Sequence, residues 1–175
     1  MNKFFLCLFT LTSVALSASA QEKNPVIEAA KAVMQRQSQN LVAAVEEMPA
    51  DKYGFKPTPQ QEAFAHIPIH TAQANNLLCS KVGNVPAPTT AELKDDAPKD
   101  QLVGALKASF DFCSKALAQA TDANLGDEVE LFGGRKGTRA TAVLMMAGGW
   151  ADHYAQAAMY LRLNGLLPPT AKPKK

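Results

Sequence analysis

The chain has 175 residues, with 18 Lys and Arg against 16 Asp and Glu and a net charge of +2. That near-neutral balance, with no basic stripe interleaved with aromatics, argues against nucleic acid as a partner. A chain of this size can bury about 70% of its unfolded surface in one core, so a single domain is expected, and no internal repeat contradicts it.

Residues 1–20, MNKFFLCLFTLTSVALSASA, carry one early charge, Lys3, then an apolar run from Phe4 to Leu16, then Ala18-Ser19-Ala20. This is the layout of a cleavable secretory signal, with cleavage after Ala20. The apolar run falls short of the roughly 20 residues that span a bilayer. The expected product is secreted or periplasmic, with no stable membrane association after cleavage. It would comprise one domain over residues 21–170 and a flexible basic tail, AKPKK, over 171–175. Two cysteines remain in it, Cys79 and Cys113. In an exported chain such a pair predicts a disulfide, the alternative being two buried thiols. No Cys-x-x-Cys spacing points to a redox role.

Helical periodicity dominates the rest of the chain. Ile27, Ala30, Met34, Leu41, Val45 and Met48 form one apolar stripe and predict a helix from Pro25 to Met48, capped by Asn24 and ended by Pro49. A proline-marked connector, residues 49–59, carries Tyr53 and Phe55. A second helix is expected over 61–81, ended by Gly83, Pro86 and Pro88. The stretch VGNVPAPTTAELKDDAPK reads as a long loop with a helical turn near 91–94. Leu102, Leu106, Phe110, Cys113 and Leu117 share a face and predict a third helix over 100–121. Residues 122–137 are glycine-rich and irregular, with an extended piece at 129–132. Thr138 caps a fourth helix running to Leu163, where Asn164-Gly165 and Pro168-Pro169 stop it. Four amphipathic helices without a convincing sheet make an all-α four-helix bundle, and the two long connections leave room for a crossover. Arg162 and Asn164 are candidates to tie the end of the last helix to the connector around Tyr53.

The chain has three histidines. Neutral imidazoles hold Zn²⁺, Ni²⁺ or a similar ion and can leave a position open for a substrate. His66 and His70, in HIPIH, have the spacing that puts two side chains on one helical face. Pro68 stands between them, and inside a helix it would cost about 3 kcal/mol. Starting the regular helix near Ile67 or Pro68 puts His70 within it and His66 at its edge, which removes the simple shared-face argument for His66. His153 falls on the stripe of Met146, Trp150, Ala157 and Tyr160. Taken alone it reads as a core histidine with a single hydrogen bond.

The stretch MPADKYGFKPTPQQEAFAHIPIHTAQANNLLCS and the later WADHYAQAAMYLRLNGLLPP together resemble the DinB/YfiT-like superfamily. The resemblance implies a four-helix bundle of up-down-down-up connectivity and a divalent-metal site, Zn²⁺ or Ni²⁺, made by three histidines. His70 matches the ligand from the second helix and His153 the last ligand from the fourth. The remaining family position falls on Gly149, which has no side chain, so that His66 or a carboxylate from Asp152 takes its place or the site is vacant. Some relatives transfer low-molecular-weight thiols or are thiol-dependent isomerases, chemistry suited to a reducing cytosol rather than to an exported chain. Two functional readings are open. In one, the protein acts on a small molecule through an altered metal site. In the other, the same fold serves as a metal-free binding or structural module, which could pair as a homodimer.

Overall fold

Four helices carry the fold: α1 (Pro25–Glu47), α2 (His66–Gly83), α3 (Lys99–Gln119) and α4 (Arg139–Leu163). The computed structural model describes residues 23–173, so the expected signal segment and the last two lysines lie outside the described residues. A short antiparallel hairpin, β1 (Glu128–Glu130) with β2 (Lys136–Thr138), precedes α4 and pairs Val129 with Gly137. It forms where only a single extended piece was expected. Gly133 and Gly134 supply the positive φ values, 65° and 74°, that turn the chain between its strands.

Side-chain pairings fix the helix directions. Asn75 meets Ser109 and Cys79 meets Cys113, so positions rise together and α2 runs parallel to α3. Asn75 meets Trp150 near the middle of α2, while His70, earlier on α2, meets His153, later on α4; α2 and α4 are antiparallel. The start of α1 meets Asp122, just past α3, and Glu46 meets Lys107, which makes α1 antiparallel to α3. The order is therefore up-down-down-up. The connector over residues 84–98 carries the chain back along the bundle between its two parallel helices. At the C-terminal end of that pair the backbones nearly touch. A Cβ at Gly83 would come within 2.6 Å of the Ala116 carbonyl oxygen, so only glycine fits.

The expected stripes supply much of the core, with Ile27, Leu41, Val45, Leu102, Leu106, Leu117, Met146 and Trp150 all buried, and Leu161 joins them. A polar thread runs through it. Trp150 Nε1 donates to Asn75 Oδ1 at 2.7 Å, Asn75 Nδ2 donates to Ser109 Oγ at 3.0 Å, and Ser109 Oγ donates to the Leu106 carbonyl at 2.7 Å. Buried polar groups satisfied in this way lock the rotation of α2, α3 and α4 about their axes. Cys79 and Cys113 are joined, with Cα atoms 5.1 Å apart. Among the described residues no helix is long and apolar enough to cross a membrane.

Several local expectations need correcting. Asn24 does not cap α1 with its own side chain. The Asp122 carboxylate accepts from Val26 N at 2.9 Å and Ile27 N at 3.0 Å, and Asn24 Oδ1 instead accepts from Asp122 N at 3.0 Å. The cap is thus supplied by the chain after α3, which no local pattern could announce. α2 begins at His66, not Gln61, because residues 53–65 are held in a turn: Phe64 N bonds to Phe55 O, and Ala65 N to Tyr53 O. No helical turn forms over 91–94. The end of α4 does obey its glycine signal, with Gly165 at φ 73° and Leu166 N bonded to Leu161 O. Thr138 caps its start by accepting from Thr141 N. Among the described residues the Arg162 and Asn164 side chains bond only within α4 and its end, to the carbonyls of Ala158 and Tyr160. The tie to the connector is Tyr160 instead. Its hydroxyl donates to Glu62 O at 2.8 Å, and its ring packs on Phe55 and Phe64. In the expected tail, Lys172 is paired with Glu47.

Candidate metal centre

The first turns of α2 and the second half of α4 face each other, and the three imidazoles line up across that contact. His66 and His70 stack with ring centroids 5.6 Å apart and planes 16° apart. His70 and His153 meet edge to face at 5.0 Å, with planes at 85°. For comparison, two imidazoles on one tetrahedral zinc have centroids roughly 5 Å apart, given bonds of about 2 Å.

The pairing of His66 with His70 overturns the argument from Pro68. Pro68 is the third residue of α2, inside the first turn, where backbone N–H groups have no intrahelical partner to lose. Ala65 already has helical dihedrals (φ −54°, ψ −30°), so His66 is helical and shares a face with His70. The connector secures that start. Tyr53 donates from its hydroxyl to Val45 O at 2.7 Å and packs edge-on against Phe64 at 5.3 Å. Tyr160 then holds α4 against Glu62, and the Trp150–Asn75 bond fixes the facing turns of α2 and α4.

The row lies on the flank of the bundle. His70 is exposed, and His66 and His153 are half-buried. His153 therefore is not a core residue, although Trp150, Ala157 and Tyr160 beside it on α4 are buried. Burial first, and then the neighbouring His66, hold the His70 pKa below its ordinary value. Burial first and His70 second lower that of His153, with Asp152 pulling the other way. Both shifts favour the neutral ring, the form that offers a lone pair to a metal.

Carboxylates flank the other end of the row. His66 Nδ1 lies 3.9 Å from Asp95 Oδ1. Donor atoms of Glu62, His66 and Asp95 all lie within 4.8 Å of one another, and this group could hold a metal ion. Neither acid was legible in the sequence. Glu62 is four residues before His66 but outside the helix, and Asp95 arrives from the connector after α2. Asp152, the sequence candidate, is exposed and accepts a hydrogen bond from Gln156 at 3.0 Å along its own helix. Gly149 leaves open space, since a Cβ there would meet no atom within 4 Å.

A family model described as the DinB superfamily matches residues 34–157. Solved structures share the fold. A DinB-like protein from Bacillus cereus ATCC 10987 superposes with a TM-score of 0.67 at 16% identity, covering 82% of this chain and 95% of that one. A DinB-like protein from Bacillus subtilis gives 0.64 at 18% identity, covering 86% and 100%. A mutant of a mycothiol-dependent maleylpyruvate isomerase gives 0.60 at 12% identity, covering 74% of this chain and 59% of that one. At these identities the likeness concerns the fold alone. No curated protein matches the chain.

Proposed function

Because the chain belongs to the DinB superfamily, we propose that it is an exported member whose flank binds a divalent cation, Zn²⁺ or Ni²⁺. His70 and His153 would be its ligands in the family positions, with His66 in place of the side chain missing at Gly149. The observation that carries this reading is that His70 meets an imidazole on each side, His66 at 5.6 Å and His153 at 5.0 Å, while among the described residues the donor atoms already gathered within 4.8 Å are those of Glu62, His66 and Asp95, so that ligation by all three rings would need their side chains to turn toward one ion. The donor chemistry fits: two of the rings are biased toward the neutral form, and Glu62 and Asp95 add anionic oxygens beside His66. The exposure of His70 leaves solvent and a small molecule free to reach the row. A cation bound there would polarise an oxygen of such a molecule or activate water. His66 would hold one end of the ligand set, with the Asp95 carboxylate 3.9 Å from its Nδ1 adding negative charge there. The secretory pattern of residues 1–20 and the Cys79–Cys113 pair support export to an oxidising compartment.

The test is metal analysis of the exported protein after dialysis. About one equivalent of Zn²⁺ or Ni²⁺ is expected to remain, to be lost in His70→Ala and in His153→Ala, and to be held on the order of tenfold more tightly in Gly149→His, which restores a third family-type ligand. Less than about a tenth of an equivalent in the parent protein would reject the reading, because a built site retains its ion. The same sample is expected to begin at Gln21.

A second reading, a metal-free module, is favoured by the interior beside the row. Trp150, 2% exposed, is packed into it. A metal-free parent protein that unfolds at the same temperature with and without added Zn²⁺ would favour it.

A further inference from the structure

A cavity of about 590 Å³ lies between α2, α3 and the connector of residues 84–98, on the face of α2 next to its histidines. That volume is in the range of small-molecule sites, roughly 300–1,000 Å³. It exists because the two parallel helices, which touch at Gly83 and Ala116, present small side chains toward their N-terminal ends. Gly104 and Ala108 of α3 cannot reach Ile69 and Ala72 of α2, and Phe112 closes one end. The connector roofs the space with Leu93 and the residues before it.

Two features specify an occupant. Among the lining residues Glu92 alone is charged, so nothing there would neutralise an anion. Asn76, also in the lining, has a buried Oδ1 without a hydrogen-bond partner among the described residues. Its neighbour Asn75 spends its amide on Ser109 and Trp150. An orphaned buried acceptor is a deficit that a ligand's donor would remove once the amide turns and brings its oxygen to the cavity, since in its present place that oxygen has almost no accessible surface. An amide that turns about its last torsion can offer either its oxygen or its nitrogen to the cavity. The roof argues for a small molecule over a protein partner, since a helix could not enter without displacing residues 88–93.

We propose that this cavity binds a neutral, largely apolar small molecule carrying one hydroxyl group, which hydrogen-bonds to the Asn76 side chain. The proposal does not rest on the metal reading, and its test is run on protein stripped of metal.

Calorimetric titration with 1-naphthol, naphthalene and 1-naphthoate separates the contributions. Saturable 1:1 binding of 1-naphthol is expected. Naphthalene should bind about fivefold more weakly, for want of a hydrogen bond of about 1 kcal/mol, and naphthoate more weakly still. Gly104→Leu fills the cavity without a clash at its Cβ and should weaken naphthol at least tenfold; Ala108→Leu repeats the test. Asn76→Leu should erase the advantage of naphthol over naphthalene. Thermal unfolding of each variant within a few degrees of the parent ties the losses to the cavity rather than to the fold. Absence of saturable binding, equal affinity for all three probes, or unchanged binding in folded Gly104→Leu and Ala108→Leu would overturn the proposal. So would a dimer abolished by Gly104→Leu in a protein that takes up no naphthol, which would assign this face to a second copy of the chain.

Discussion

Pro68 and Gly149 carry opposite lessons about single residues. A proline between two histidines looks like a break, yet in a first helical turn it removes only an N–H that had no intrahelical partner. Gly149 does remove something, because a glycine cannot ligate, and the open space above it is room for a ligand that the chain lacks. His70 and His153 also set a pH response. Their folded-state pKa values lie below the ordinary 6.5, so over that interval the unfolded chain binds protons that the folded one refuses. Their contribution is complete above about pH 6.5 and is lost as the pH falls through the lowered values. The melting temperature of metal-free protein is expected to fall between pH 7.5 and 5.5, and to fall less in the His70→Gln/His153→Gln variant. Equal slopes in the two proteins would show that the rings are not perturbed.

At the scale of elements, the helix ends depend on partners distant in sequence. α4 is locally capped at both ends, by Thr138 with Thr141 and by the Gly165 turn, and its boundaries could be read from the chain. The start of α1 borrows the carboxylate of Asp122. Asp122→Ala is therefore expected to cost about 1 kcal/mol, the usual value of a helix N-cap, and to loosen the first turn of α1. Urea unfolding measures the first effect, and amide hydrogen exchange at Val26 to Glu28 the second. An equal loss in Asp122→Asn would assign the effect to charge rather than to the cap, because Asn is as good an N-cap as Asp. The start of α2 is set in the same long-range way, by the aromatic connector of Tyr53, Phe55 and Phe64 against Tyr160. Holding that start is what turns HIPIH into a paired donor face.

For the whole molecule, the two parallel helices are the unusual part. Parallel neighbours need a long return connection, here residues 84–98, and three devices hold them together: the Gly83–Ala116 approach, the Asn75–Ser109 bond and the Cys79–Cys113 bridge. The bridge spans 34 positions, and closing a loop of that length in the unfolded chain is worth about 4 kcal/mol. The Cys79→Ser/Cys113→Ser variant is expected to lose about that much stability to urea. Dithiothreitol should bring the parent protein to the same value, and a parent protein indifferent to the reductant would show that the cysteines are unlinked.

Periodicity, turn residues and the two family-like stretches were enough to establish four helices, their approximate bounds, the DinB likeness and the candidacy of His66, His70 and His153, because those properties are written in spacings of three and four along one chain. Folding alone decided that the imidazoles neighbour one another on the flank, that Glu62 and Asp95 lie beside His66, and that a cavity opens beside the same helix. Each of these joins residues from separate elements, and the distance between them is set by packing: by Trp150 on Asn75, by Tyr160 on the connector, and by how closely α2 and α3 can approach.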